Sequence, residues 1–233
     1  MYSVSRKGVG FSLRDFLIRL VRLMWGLFLF ALGISLTVNA QIGYAPWDTF
    51  HAGLAKTTGM SFGTASIVVG FVIIILTLLL KEKIGLGSLL NMFAIGVFLD
   101  LILGPQILPV ADSFGIGLVM LTIGLFVIAL GSYFYMDSGF GAGPRDSLMV
   151  ALTRRTGLPI GLCRGAIELA ALLCGWRLGG MVGIGTVICA FLTGICVQWT
   201  FRLLKFDATK VQHQTLAETV RALRSMTERR DFS

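Results

Sequence analysis

Residues 43 to 50 read GYAPWDTF, and residues 141 to 148 read GAGPRDSL. Both stretches follow a long apolar segment and share the pattern Gly-x-x-Pro-x-Asp. A shift of 98 positions, which carries Asp48 onto Asp146, aligns the two halves of the chain without a gap. The other matching stretches are GLFLFALG (26 to 33) with GLFVIALG (124 to 131), TGMSFG (58 to 63) with TGLPIG (156 to 161), and IGLGSLLNMFAIG (84 to 96) with VGIGTVICAFLTG (182 to 194). The alignment indicates an internal duplication.

The composition places the chain in a membrane. Of its 233 residues 55% are hydrophobic and 14% are charged, whereas soluble domains have about 25% charged residues; the mean hydropathy is +0.84. A helix needs about 20 apolar residues to cross a bilayer, and the runs here are continuous rather than alternating as in barrel strands. We therefore expect an all-α polytopic bundle of six transmembrane helices. The predicted spans are 19–40, 61–80, 84–104, 114–136, 158–177 and 182–204.

The net charge of +8 follows the predicted topology. Basic residues cluster in alternate loops, which by the positive-inside rule makes both termini cytoplasmic; Lys56 and Arg177 fit less well. We therefore predict a multi-pass protein of the bacterial cytoplasmic membrane and no nucleic-acid partner. The clustered residues are Arg6, Lys7, Arg14, Arg19 and Arg22 before span 1, Lys81 and Lys83 after span 2, Arg145, Arg154 and Arg155 after span 4, and Arg202, Lys205 and Lys210 after span 6.

The duplicated unit has an odd number of spans, so its second copy enters the membrane from the opposite side. This predicts a 3+3 inverted repeat, formed by residues 19–104 and 114–204, of a kind that recurs in transporters. Residues 1–18 are expected to be a cytoplasmic amphipathic segment, and 205–233 a basic tail with an amphipathic helix. That helix either lies on anionic lipid headgroups or packs on the protein's own cytoplasmic face. The oligomeric state stays open.

Each repeat is expected to contain an extra half-length helix after its first span. A proline suits the first helical position, because its missing N–H would have no partner there, and a glycine about ten residues later suits the end. The residues of this motif are Gly43, Pro46 and Gly59 in the first copy and Gly141, Pro144 and Gly157 in the second.

Asp48 and Asp146 fall in the first turn of these half-helices, which allows two interpretations. Each carboxylate could accept the free backbone N–H groups of its own helix. Alternatively, both helices aim their N-termini at a shared site, where a carboxylate in each would favour a proton or a cation over an anion. His51 and Arg145, on the same half-helices, are further candidates.

Arg164 and Glu168 stand in predicted span 5, where the first repeat has Ser66 and Gly70. Ionisable groups at membrane depth are a functional hypothesis by default, although residues at i and i+4 could simply pair with each other. With two histidines and scattered cysteines in the chain, we expect no metal site and no cofactor. No catalytic constellation indicates an enzyme.

The Gly-x-x-Pro-x-Asp segments, the Thr-Gly-x-x-x-Gly after each and the duplicated three-span unit resemble the bacterial YczE/YyaS/YitT family of membrane proteins. The resemblance covers about residues 20–204 and implies a cytoplasmic-membrane protein often regarded as a transporter; it supplies no substrate residues. Arg145 replaces Trp47 in the second copy, so the two motifs need not act alike. The sequence thus favours a small-molecule or ion permease with a site between the half-helices. The alternative is an accessory protein that scaffolds a partner complex through its basic tail.

Overall fold

The computed structural model describes residues 13–208, 211 and 214–221, and within these residues all regular structure is helical. The helices are α1 (Leu13–Asn39), α2 (Pro46–Thr58), α3 (Phe62–Leu79), α4 (Leu86–Leu103), α5 (Phe114–Asp137), α6 (Pro144–Thr156), α7 (Ile160–Arg177) and α8 (Ile184–Leu203). The prediction of an all-α chain is confirmed for this part. The helices α6, α7 and α8 each start 98 residues after α2, α3 and α4 respectively.

Five of the described helices, α1, α3, α4, α5 and α8, are long and apolar enough to cross a membrane. Their surfaces carry large exposed apolar side chains, a pattern that water disfavours and lipid accommodates. Examples are Phe71, Leu79, Phe93, Phe191 and Trp199. Predicted span 5 corresponds to α7, which has 18 residues, as many as α3. It is not among the five because it contains Arg164, Glu168 and Arg177.

The half-helices α2 and α6 form where the sequence predicts them, with 13 residues each. Both begin at a proline. Both end at a glycine in the left-handed region, Gly59 with φ of 78° and Gly157 with φ of 70°, a conformation that residues with a Cβ rarely adopt. These paired signals explain why both helices stop after the same number of residues.

The centre of the bundle is the crossing of α1 and α5. A methyl group added at Gly26 would lie 2.9 Å from the carbonyl oxygen of Gly131, and one added at Gly33 would lie 2.7 Å from that of Gly124. Because an earlier residue of α1 contacts a later residue of α5, the two helices run antiparallel. Small residues permit this close approach of backbones, and the main hydrophobic core builds around it.

Matching backbone hydrogen bonds link the two halves. The Gly87 N–H donates to the carbonyl of Phe140 at 2.8 Å, and the Gly185 N–H donates to the carbonyl of Ile42 at 2.7 Å. Ile42 and Phe140 are 98 residues apart, as are Gly87 and Gly185. Positions 98 residues apart therefore make equivalent contacts with the opposite half, and the segment before each half-helix is hydrogen-bonded to the other half.

The halves differ in how their last two helices pack. A methyl group at Gly63 of α3 would overlap the carbonyl oxygen of Gly96 on α4, whereas one at Gly161 of α7 or Gly194 of α8 would meet nothing within 4 Å. Asp100 of α4 reinforces the α3 contact: its carboxylate accepts the Gly63 N–H at 2.7 Å and the Ser61 hydroxyl at 2.6 Å. Helix α3 thus packs closely on α4, whereas the corresponding helices of the second half, α7 and α8, lie apart at these glycines.

The flanking segments pack on the bundle. The described part of the N-terminal segment, residues 13–18, is continuous with span 1 in α1, and its neighbour Arg22 pairs with Asp137 of α5. In the tail, the Leu216 N–H donates to the carbonyl of Ile84 at 3.0 Å. Residues 214–221 therefore lie against the protein's own loops; the rest of the predicted tail beyond residue 221, where the amphipathic helix is expected to continue, is outside the described residues.

Candidate functional site

A cavity of about 520 Å³ lies between the two halves and receives side chains from all eight helices. The N-terminal turns of both half-helices reach it, with Pro46 on one side and Pro144 on the other. The structure brings all six predicted site residues together in its lining: Asp48, His51, Arg145, Asp146, Arg164 and Glu168. A common cavity makes a joint role physically possible.

Trp47 and Arg145 meet face to face in this cavity. The Arg145 guanidinium carbon lies 4.8 Å from the centre of the Trp47 ring, a cation–π distance. The two residues occupy the same position in the two repeats. The two side chains are therefore complementary, because Trp47 supplies the aromatic face and Arg145 supplies the cation.

A short polar chain runs from Arg145 through His51 to Asp48. Arg145 Nη2 lies 3.4 Å from His51 Nε2. Because a guanidinium can only donate, this contact makes Nε2 the acceptor and assigns the proton of the neutral ring to Nδ1. That Nδ1 faces Asp48 Oδ1 at 3.8 Å, which is beyond hydrogen-bond distance.

The Asp48 carboxylate is buried without full compensation. The residue is 4% exposed, and its Oδ1 atom, like His51 Nδ1, finds no hydrogen-bond partner among the described residues. None of the hydrogen bonds of the described chain runs from a first-turn N–H of α2 to this carboxylate. The capping interpretation therefore fails for Asp48 in this structure, and a buried acceptor is left facing the cavity.

Asp146 is held differently. Its Oδ2 accepts the Tyr135 hydroxyl at 3.1 Å, and the Tyr135 oxygen in turn accepts the Gly143 N–H at 3.1 Å. The tyrosine satisfies the backbone at the start of α6 in place of the aspartate. Tyr135 was missed by the sequence analysis. The feature that could have indicated it is a hydroxyl-bearing residue within an apolar span, at the position where the first half has Thr37.

Arg164 and Glu168 pair directly, with Arg164 Nε 3.0 Å from Glu168 Oε1. This is the i, i+4 pairing that the sequence offered as the simpler interpretation. Both residues also line the cavity, so pairing does not remove them from the candidate site.

The cavity contains no arrangement suited to metal binding. No group of three or more His, Cys, Asp or Glu side chains in the described part of the chain could hold an ion. Cys189 lines the cavity as a buried free thiol. Most of the residues that line the cavity are apolar, and its polar groups offer ionic contacts and hydrogen bonds beside the aromatic face of Trp47.

The chain has relatives among known proteins. Residues 17–202 match the family described as "Family of unknown function (DUF6198)". The uncharacterized membrane protein YczE of Bacillus subtilis (strain 168) is 37% identical over 177 residues, covering 75% of this chain and 81% of the relative. An uncharacterized protein of Haemophilus influenzae is 32% identical over 182 residues, covering 78% and 83% respectively.

The uncharacterized protein YyaS of Bacillus subtilis (strain 168) is 29% identical over 180 residues, covering 73% of this chain and 86% of the relative. No solved structure matches the chain significantly. The resemblance to YczE and YyaS noted from the motifs is confirmed. The chain belongs to the DUF6198 family and is a membrane protein.

Proposed function

We propose that the protein is a small secondary transporter or permease of the bacterial cytoplasmic membrane, with its substrate site in the central cavity. The observation that carries the proposal is the meeting of both half-helix N-termini in one cavity with all six candidate polar residues. Discontinuous helices that meet around a polar site are typical of transporters built from repeats. The proposal assigns the cavity a binding role and no catalytic step.

The proposal includes a 3+3 inverted repeat with α7 as the sixth span and both termini in the cytoplasm. A twofold axis in the membrane plane would exchange position i with i+98, and so exchange the Gly26–Gly131 contact with the Gly124–Gly33 contact; both contacts exist. The paired Arg164 and Glu168 neutralise each other, which lowers the penalty for placing α7 in lipid.

Two conformations follow from the unequal packing of the halves. In the observed one, α3 is closed onto α4 through Gly63 and Gly96, whereas Gly161 and Gly194 of α7 and α8 are free. Repeats related by inversion can exchange such roles, which gives alternating access to a site between them. The second conformation would close α7 on α8 through these two glycines and release α3 from α4.

The test is flux in vesicles reconstituted with purified protein, using compounds first selected by thermal stabilisation. Asp48→Asn and Asp146→Asn are each expected to abolish flux while the protein still purifies as folded material. Asp137→Asn, which removes a carboxylate outside the cavity that pairs with Arg22, is the matched control. Equal flux in all three variants would refute the proposed site.

The scaffold alternative places function in the basic tail. The described tail residues, 214–221, contact the protein's own loops, which leaves this part less available to a partner. Truncation after residue 221 separates the two ideas: transport through the cavity persists on our proposal, whereas loss of cellular function with undiminished flux would favour the scaffold.

A further inference from the structure

The charges of the cavity are unequal. Three carboxylates line it, and two guanidiniums accompany them. Arg164 is engaged with Glu168 on its own helix. This leaves Arg145 as the cavity cation that faces the two remaining carboxylates, Asp48 and Asp146. Among the described residues, Arg145 forms an ion pair of 4.0 Å or less with neither of them.

Asp48 is the carboxylate that lacks a donor. Asp146 accepts the Tyr135 hydroxyl, but Asp48 Oδ1 has no partner and its side chain is only 6% exposed. A buried charged acceptor without a hydrogen bond is strongly unfavourable. A ligand that brings an N–H group and a positive charge to Asp48 would remove this penalty.

Arg145 shows what kind of group the cavity accepts. Its guanidinium rests on the Trp47 ring and donates to His51 Nε2. The side chain is a flexible tether, so an incoming cation can take its place over the ring and approach Asp48. The contacts of the Arg145 guanidinium with Trp47 and His51 thus show how a free guanidinium or ammonium ligand could bind in the same place.

The half-helix N-termini would otherwise favour an anion. A first-turn carboxylate opposes the positive end of each helix dipole, and both half-helices carry one, Asp48 and Asp146. This arrangement weakens the attraction for an anion at both ends and leaves the attraction for a cation at Asp48.

We infer that the cavity binds a small organic cation with N–H donors, of the ammonium or guanidinium class, which displaces the Arg145 guanidinium from Trp47 and contacts Asp48. This inference rests on the proposed function, since it names the substrate class of the same site. It accounts for the unpartnered Asp48 oxygen and for the replacement of Trp47 by Arg145 in the second repeat.

The experiment measures binding of methylguanidinium, methylammonium, tetramethylammonium and acetate to the purified full-length protein by thermal stabilisation over a concentration series. Methylguanidinium and methylammonium are expected to bind, and tetramethylammonium, which has no N–H, to bind about tenfold or more weakly. Asp48→Asn should weaken methylguanidinium binding about tenfold or more. Arg145→Gln should strengthen it about threefold or more, because no internal cation then competes.

The opposite signs of the two variants separate binding from folding, because a general loss of structure would weaken binding in both. Asp48→Glu, which keeps the charge, should retain measurable binding where Asp48→Asn does not. Acetate binding in place of the cations, or equal binding by tetramethylammonium, would overturn the inference. Binding of neutral or anionic metabolites that depends on Asp146 would overturn the cation class and leave transport standing; no binding and no flux for any class would overturn both.

Discussion

Replacing Gly63 by alanine tests the asymmetry between the two halves, with Gly161→Ala as its matched control. At Gly63 the added methyl group would overlap the Gly96 carbonyl oxygen and lie 2.6 Å from the Asp100 carboxyl carbon. At Gly161, the equivalent position on α7, it would meet nothing within 4 Å. The same chemical change therefore meets opposite surroundings in the two repeats.

The magnitude follows from the atoms that must move. Overpacking costs about 1 to 3 kcal/mol, and weakening the charge-assisted bond from the Gly63 N–H to Asp100 costs about 1.5 to 3 kcal/mol more. Alanine recovers up to about 1 kcal/mol of helix propensity. The net loss of unfolding free energy for Gly63→Ala is therefore about 1.5 to 6 kcal/mol. Gly161→Ala is expected to be neutral or stabilising by up to about 1 kcal/mol.

Thermal unfolding of the purified variants in one detergent, followed by tryptophan fluorescence, measures both effects. Gly63→Ala should lower the midpoint by roughly 3 to 24 °C, and Gly161→Ala should leave it unchanged or raise it. Equal destabilisation by the two variants would show that α7 packs on α8 as α3 packs on α4. That result would refute both the asymmetry and the two-state scheme built on it.

Three further substitutions probe other contacts by the same unfolding assay. Tyr135→Phe removes the donor to Asp146 and an acceptor for backbone N–H, so we expect a loss of about 1 to 3 kcal/mol; no loss would contradict the network. Gly43→Ala must place a Cβ at a φ of 118°, and strain of about 1 to 3 kcal/mol is expected; an unchanged midpoint would count against that backbone. Glu82→Gln breaks the ion pair with Arg154; the Glu82 side chain is 16% exposed, but that of Arg154 is 70% exposed and stays in contact with solvent. The loss should therefore stay below about 1 kcal/mol, and a larger one would show that the limited exposure of Glu82 decides the strength of the pair.

Local signals made the half-helices predictable. Pro46 and Pro144 fix a helix start, and Gly59 and Gly157 fix its end, because each signal depends on the covalent structure of one residue. The apolar runs similarly locate the long helices to within a few residues, except at the start of α1, which begins at Leu13 rather than at 19. These features need no knowledge of distant contacts.

The environment of Asp48 was not predictable, because it depends on which helices meet. The sequence offers capping and a shared site as alternatives, and the choice rests on the position of His51 beside Asp48 and of Arg145 beside His51. The same holds for the free glycines of α7: Gly161 aligns with Gly63 in sequence, yet their surroundings differ completely. The alignment of the two halves predicts which positions are equivalent and leaves open how differently the halves pack.

The exchange of Trp47 for Arg145 links the duplication to the proposed site. In the inverted repeat that we propose, two equivalent residues touch each other only if they lie close to the axis that relates the two halves, and Trp47 and Arg145 lie 4.8 Å apart. Two identical residues there would give either two like charges or two rings, neither of which forms a cation–π pair. On that proposal, the difference at this position lets two similar halves hold one cation, that of Arg145, where they meet. One difference between the two halves thus lies where the half-helices meet, as the proposed binding site requires, while the central contact of α1 with α5 occurs twice, as Gly26 with Gly131 and as Gly33 with Gly124.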